Sequence, residues 1–124
     1  MNKNSNIIRI PSTKERLFLY WFEFLKPYNK LTSTECKLAA RLLSERFELE
    51  KIIKDDDLVD STMLSNSKKF IGEGDLTQSH YYFLMGVLKR KKVIVNNKFN
   101  KKLIPNISEN SKDFQLIFYF DLKE

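Results

Sequence analysis

The sequence predicts an α+β, mainly α domain in which three to five helices precede a C-terminal β-hairpin. Apolar residues recur at three- and four-residue steps in several stretches, which indicates amphipathic helices. In residues 114–122 every second position is a large apolar residue (Phe114, Leu116, Phe118 and Phe120), which indicates a strand with one apolar face. The 124 residues include three Gly and three Pro, too few for a disordered chain or a loop-rich sandwich. We expect residues 1–12 to form an arm or edge strand and residues 13–124 to form one domain.

Composition narrows the class of protein before any motif is considered. Apolar residues make up 42% of the chain, enough to bury a core. The single cysteine, Cys36, excludes an intramolecular disulfide and a cysteine-based zinc site, which fits a reducing cytoplasm. The N-terminal residues contain no apolar run long enough for a signal peptide or a membrane span. We therefore expect a cytoplasmic protein that has no membrane partner.

The first helix is predicted from an apolar stripe between two prolines. Residues 7–10 (IIRI) are β-branched and are closed by Pro11, which is typical of an edge strand. Ser12 or Thr13 then caps a helix that Pro27 ends. Its stripe, which we assign to the core, consists of Leu17, Phe18, Trp21, Phe24 and Leu25.

A capping box gives the clearest local signal in the chain. Thr32 and Glu35 have the required spacing, and Leu31 can pack on Cys36 as a hydrophobic staple. The helix that follows is amphipathic and is predicted to run to about Lys54. Cys36 lies on its apolar face, so we interpret it as a small buried hydrophobe without redox or nucleophilic chemistry.

Three consecutive acids, Asp55, Asp56 and Asp57, follow this helix. A calcium loop would need a glycine and a distal bidentate glutamate that this segment does not have. Negative charge at the start of a helix is favoured by the helix dipole. The sequence therefore predicts that these residues cap a short helix, LVDSTML.

Positive charge is concentrated in residues 66–102. This segment contains nine Lys and Arg and two acids, a charge of +7, whereas the whole chain carries +6. The rest of the chain thus sums to −1. Concentrated positive charge is what a polyanion-binding surface needs.

The same segment has the pattern of two helices joined by a tight turn. Ser65 or Asn66 is predicted to cap a short helix, and residues 72–75 (GEGD) form the turn. A phosphate loop is not favoured, because no Gly-Lys-Ser/Thr follows the glycines. Leu76 would plug the turn and Thr77 would cap a longer helix. Helical spacing predicts that this helix buries Tyr81, Leu84, Val87 and Leu88.

A β-hairpin is predicted after the longer helix. VIVNNKF indicates a strand that runs into a turn at Asn96 and Asn97, residues that tolerate positive φ. Residues 114–122 are predicted to be the return strand of the hairpin that begins at Val93.

This order of elements resembles the winged helix–turn–helix family. The resemblance rests on residues 76–79 (LTQS) at the turn and residues 88–94 (LKRKKVI) at the junction with the wing, and it covers residues 32–122. In that family the second helix of the motif enters the major groove, and the wing touches the backbone or the minor groove. A second resemblance rests on residues 7–11 (IIRIP), the long helix capped by residues 76–77 (LT), residues 88–94, and residues 103–105 (LIP) before a final aromatic strand. In this combination the chain resembles small proteins of tailed phages of Bacteroidetes, including the crAss-like group.

The resemblance implies a set of contacts with duplex DNA. The residues expected to approach the groove are Thr77, Gln78, Ser79 and His80. The residues expected to neutralise phosphates are Lys68, Lys69, Lys89, Arg90, Lys91, Lys92, Lys98, Lys101 and Lys102. Positions that usually read bases hold Tyr81, Tyr82 and Phe83, so we expect binding driven by phosphate contacts more than by sequence. About six such contacts would lower affinity about a thousandfold between low and moderate salt.

A second hypothesis is a structural role without DNA reading. The chain would then be a phage virion subunit that forms homo-oligomers or binds portal, ring or capsid subunits through aromatic surfaces. The protein would be located in the host cytoplasm under the first hypothesis and in the virion under the second. We do not expect an enzyme, a cofactor or a small-molecule substrate, because the sequence has one His and no metal-ligand cluster or nucleophile–base pair.

Overall fold

The computed structural model describes residues 9–74, 76–108, 110–115 and 121–123. Within these ranges, five α-helices precede a two-stranded antiparallel sheet, and helical residues make up 59%. The α+β, mainly α prediction is therefore confirmed. The elements are α1 (Lys14–Phe24), α2 (Lys26–Asn29), α3 (Ser33–Glu50), α4 (Asp56–Asn66), a first 3₁₀ turn (Ser67–Phe70), α5 (Gln78–Arg90), β1 (Ile94–Val95), β2 (Lys98–Phe99) and a second 3₁₀ turn (Lys101–Leu103).

The helix α1 begins where the sequence predicts. The Thr13 side chain accepts a hydrogen bond from the backbone N–H of Arg16 at 3.1 Å. The helix ends at Phe24, and Pro27 lies in the first turn of α2, where its missing N–H breaks no helical bond. Of the predicted edge strand, residues 7 and 8 lie outside the described residues, and residues 9 and 10 are not in a strand.

The capping box of α3 is confirmed. The Glu35 backbone N–H donates to Thr32 Oγ1 at 3.3 Å, and the Thr32 N–H donates to Glu35 Oε1 at 3.1 Å. The helix ends at Glu50, short of the predicted Lys54. Leu31 and Cys36 are both buried, as the predicted staple requires. Burial raises the pKa of the Cys36 thiol to about 11, so the thiol stays protonated at neutral pH and is a poor nucleophile.

The core forms where α1 packs on α3 and where α3 meets α4 and α5. Phe18 and Phe22 of α1 are fully buried. The Phe22 ring lies 6.0 Å from the Phe99 ring, which ties α1 to β2. Trp21 is half-buried, and its Nε1–H donates to the Leu103 carbonyl at 2.7 Å. Each fully buried aromatic stabilises the fold by about 1.5–3 kcal/mol through burial alone, so the hairpin region is fixed to the helices.

A buried ion pair joins three elements. Asp60 of α4 is 1% exposed and Arg46 of α3 is 4% exposed. Asp60 Oδ1 accepts from Arg46 Nε at 3.0 Å and from the Phe99 backbone N–H at 3.1 Å. One carboxylate therefore holds α3, α4 and the edge of β2 together.

The hairpin is shorter than predicted. Asn96 and Asn97 have φ values of 54° and 59°, which confirms the predicted turn. Ile94 pairs with Phe99 and Val95 pairs with Lys98, so β2 itself is the return strand. The prediction that residues 114–122 fill this role is wrong, because two left-handed residues reverse the chain at once. Of that segment, residues 116–120 lie outside the described residues.

In the described ranges, no helix has both the length and the apolar character needed to cross a membrane.

Candidate nucleic-acid interface

The connection between α4 and α5 is built from a 3₁₀ turn and two glycines. The helix α4 continues directly into the first 3₁₀ turn, and within the described chain no side chain caps that turn. The prediction of a Ser65 or Asn66 cap is therefore wrong. The Asn66 amide instead donates to Glu45 of α3 at 3.2 Å, because the preceding helix already leads the backbone into the turn.

The glycine turn is held by both backbone and side chains. Gly72 has φ +90° and Gly74 has φ +59°, values that favour glycine. The Gly72 N–H donates to the Leu76 carbonyl at 2.7 Å, and Leu76 packs against the core as predicted. Arg41 of α3 pairs with the Glu73 carboxylate, so the turn is attached to the helical core.

The polar N-terminal end of α5 faces solvent. Thr77 caps the helix by accepting from the His80 N–H at 3.1 Å, which confirms the predicted cap. The residues exposed here are Thr77, Gln78, Ser79 and His80. On the opposite side, the Tyr81 and Ser67 hydroxyls form a buried hydrogen bond of 2.5 Å. This bond therefore fixes α5 against the first 3₁₀ turn, while residues 77–80 stay exposed to solvent.

The C-terminal end of α5 reverses through a Schellman motif. The Val93 N–H donates to the Leu88 carbonyl at 2.9 Å, and the Lys92 N–H donates to the Lys89 carbonyl at 3.2 Å. Lys92 occupies the left-handed position, with φ 64°. The reversal brings the end of α5 to the hairpin, and the two together enclose a groove lined by Lys89, Lys92, Ile94, Val95, Asn96 and Asn97.

We predict that Lys92→Gly stabilises the protein. A lysine at a left-handed φ costs about 1 kcal/mol that glycine does not incur. The free energy of unfolding in urea should rise by that amount. Lys89→Gly is the control, because Lys89 lies in the regular last turn of α5, where glycine should lower stability by about 0.5–1 kcal/mol. A decrease in stability for Lys92→Gly would contradict the assignment of Lys92 to a left-handed backbone position that favours glycine.

Lys91 differs from the neighbouring cations because it points into the structure. It is half-buried, and its Nζ donates to Glu35 Oε1 at 2.7 Å and to the Lys30 carbonyl at 2.8 Å. Desolvation raises the pKa of Glu35, but hydrogen bonds from Lys91 and Thr32 outweigh it and lower the pKa below its usual value. Lys91 therefore supports the α3 cap and contributes little to an exposed surface.

Acidic residues of α3 and α4 neutralise three more of the candidate lysines. The distances between the paired atoms are 2.6 Å for Lys69–Glu45, 2.7 Å for Lys98–Asp57 and 3.7 Å for Lys101–Asp56. The hydrogen bond between Lys98 and Asp57 lowers the pKa of Asp57 and raises that of Lys98. The Lys98–Asp57 contact joins α4 to β2, and the Lys101–Asp56 contact joins α4 to the second 3₁₀ turn. The Lys69–Glu45 contact joins the first 3₁₀ turn to α3, and all three reduce the positive charge of the predicted surface.

The acidic triplet has the structural role that the sequence predicts, and a second role as well. Asp55 caps α4 by accepting from the Asp57 N–H at 2.9 Å and the Leu58 N–H at 3.4 Å, which confirms the capping prediction. The contacts of Asp56 with Lys101 and of Asp57 with Lys98 were not predicted. These contacts pair opposite charges in segments that are distant along the chain, and residue spacing does not reveal such pairs.

Five candidate cations remain exposed and, among the described residues, form no ion pair: Lys68, Lys89, Arg90, Lys92 and Lys102. Lys68 lies in the 3₁₀ turn beside the start of α5, whereas Lys89, Arg90 and Lys92 lie at its end. A helix of 13 residues separates these ends by about 20 Å. These four cations are therefore divided between the two ends of α5, and Lys102 lies in the second 3₁₀ turn.

The middle of the outer face of α5 is aromatic. Tyr82 is 50% exposed and Phe83 is 61% exposed, whereas Met85 is buried. Tyr81, Leu84, Val87 and Leu88 are buried, as helical spacing predicts. In the part of the chain that the structure describes, no group of three or more His, Cys, Asp or Glu residues could hold a metal ion.

Comparisons of the chain with protein-family models, with curated proteins and with solved structures find no match. The function is therefore inferred from the geometry described above.

Proposed function

We propose that this chain is a non-enzymatic DNA-binding protein of the winged helix–turn–helix class. The helix α4, the first 3₁₀ turn and α5 supply the helix–turn–helix, and β1 with β2 supplies the wing. The observation that carries the proposal is the groove where the end of α5 meets the hairpin turn. Lys89, Lys92, Asn96 and Asn97 line it, so cations and amide groups lie beside the helix that would enter the major groove.

The N-terminal end of α5 supports the same orientation. Gln78, Ser79 and His80 are exposed, and the first backbone N–H groups of a helix attract phosphate. Lys68 lies beside this end, in the 3₁₀ turn that Tyr81 holds against α5. Both ends of α5 can thus contact phosphates, about 20 Å apart for a 13-residue helix. Such contacts position a protein on DNA without reading its sequence.

We predict that the affinity for duplex DNA decreases steeply as the salt concentration rises. About five unpaired cations correspond to a slope of about −4.5 in the logarithm of affinity against the logarithm of salt concentration. Affinity for a random duplex of about 20 base pairs, measured by fluorescence anisotropy, should fall about five-hundredfold between about 50 and about 200 mM salt. A slope near zero would contradict phosphate-driven binding.

A second candidate function is a phage virion structural subunit, as the resemblance to small phage proteins implies. The observation that favours it is the exposure of large apolar side chains: Tyr28 is 76% exposed, Ile52 is 78% exposed, and Phe83 is 61% exposed. Assembly would remove such surfaces from water. The salt titration distinguishes the two candidates. Failure to bind duplex DNA at low salt, together with ring-sized species in size exclusion and electron microscopy, would favour the virion subunit.

A further inference from the structure

The outer face of α5 combines aromatic side chains, an open backbone and cations. Helical periodicity places Tyr82, Gly86 and Lys89 in one row, and Phe83 with Arg90 in the adjacent row. Tyr82 is 50% exposed and Phe83 is 61% exposed. A side-chain carbon at Gly86 would meet, in the described part of the chain, no atom from outside its own helix backbone within 4 Å. The face is therefore open between two aromatic residues and two cations.

Charge decides what this face can bind. Two copies of the chain that met through α5 would bring Lys89 and Arg90 close to another positively charged surface, which is unfavourable. A polyanion is attracted instead. Gly86 has no side chain, so a bound partner can approach the backbone of α5 closely at that point. Duplex DNA provides both the charge and a groove wide enough to accept an α-helix.

The chemistry of the aromatic side chains narrows the contact further. Phe83 has no hydrogen-bonding group, so it cannot pair with the donors and acceptors on base edges. The apolar group that the major groove presents is the 5-methyl of thymine, which aromatic and other apolar side chains contact. Phe83 and the ring of Tyr82 thus match thymine better than any other base.

We propose that Tyr82 and Phe83 contact thymine methyl groups in the major groove, so that the protein prefers A·T-containing duplexes without reading hydrogen bonds. This inference rests on the proposed function, because it requires α5 to enter the groove. It assigns the aromatic residues of the helix to base discrimination, whereas the lysines supply affinity.

The test compares two duplexes of the same mixed sequence, one with thymine and one with deoxyuridine at every thymine position. The substitution removes the methyl groups and leaves pairing and charge unchanged. Wild-type protein should bind the deoxyuridine duplex about fourfold more weakly for every methyl group that the aromatic rings would otherwise cover. Phe83→Ala should show a smaller difference in affinity between the two duplexes than wild type, and it should keep the wild-type salt slope. Tyr28→Ala removes an exposed aromatic on α2 and should keep the full preference.

The possible results separate the two proposals. Equal binding of both duplexes by wild type, with a normal salt slope, overturns the thymine contact and leaves the proposed function standing. A preference that survives both Phe83→Ala and Tyr82→Ala also overturns it. Absence of binding to either duplex at low salt overturns the proposed function and the inference together.

Discussion

Asp60→Ala should lower the free energy of unfolding by about 3–5 kcal/mol, the range found when one partner of a buried ion pair is removed. The Asp60 carboxylate is 1% exposed and accepts hydrogen bonds from Arg46 and from the Phe99 backbone N–H. Its removal leaves a buried guanidinium with the Glu50 carboxylate as its remaining ion-pair partner among the described residues. It also leaves the edge of β2 without its acceptor. A decrease of this size is a large part of the stability of a domain, which is about 5–15 kcal/mol.

Two further variants separate charge from hydrogen bonding at this position. Asp60→Asn keeps an oxygen for the Phe99 N–H and removes the charge, so it should cost less than Asp60→Ala. Arg46→Met combined with Asp60→Ala removes both charges and should recover part of the stability, because no uncompensated charge stays buried. Urea denaturation followed by circular dichroism measures each value. If Asp60→Ala lowers the free energy of unfolding by less than about 1 kcal/mol, the Arg46–Asp60 ion pair does not hold the hairpin.

The sequence predicted the caps of α1, α3, α4 and α5 because capping is a local interaction. Thr13, Thr32, Asp55 and Thr77 each accept a hydrogen bond from a backbone N–H two or three residues ahead. The residues that form such a contact are neighbours along the chain, so their types and spacing are sufficient evidence. The same reasoning predicted the buried side of α5, which follows from helical periodicity.

The partners of the charged side chains could not be predicted in this way. Lys91 meets Glu35, and Asp60 meets Phe99, across 56 and 39 residues of sequence. Such contacts depend on how helices pack, which no local pattern specifies. From the sequence, the nine cations in residues 66–102 are therefore expected to form one surface, whereas the fold places four of them in ion pairs. The return strand of the hairpin was likewise expected at residues 114–122, whereas Lys98–Phe99 fill that role.

Reversal of the charge at Lys89 and Lys92 should abolish most of the proposed DNA binding. Both line the groove beside the hairpin, and neither forms an ion pair within the described residues. Each lysine–phosphate contact is worth a factor of about 15 at about 50 mM salt, so replacing both lysines lowers affinity at least about 200-fold. The salt slope should become shallower by about 1.8 for the same reason.

The matched control for this variant is Lys37→Glu with Lys54→Glu. Both lysines are exposed, and the pair of changes alters the net charge by the same amount as the groove variant. Neither lysine lines the groove where α5 meets the hairpin, so the control should retain more of the affinity and of the salt slope than the groove variant. Lys91 is excluded from the groove variant because it supports Glu35, and its reversal would confuse folding with binding. An equal decrease of affinity in both variants would show that net charge, not the surface where α5 meets the hairpin, determines binding.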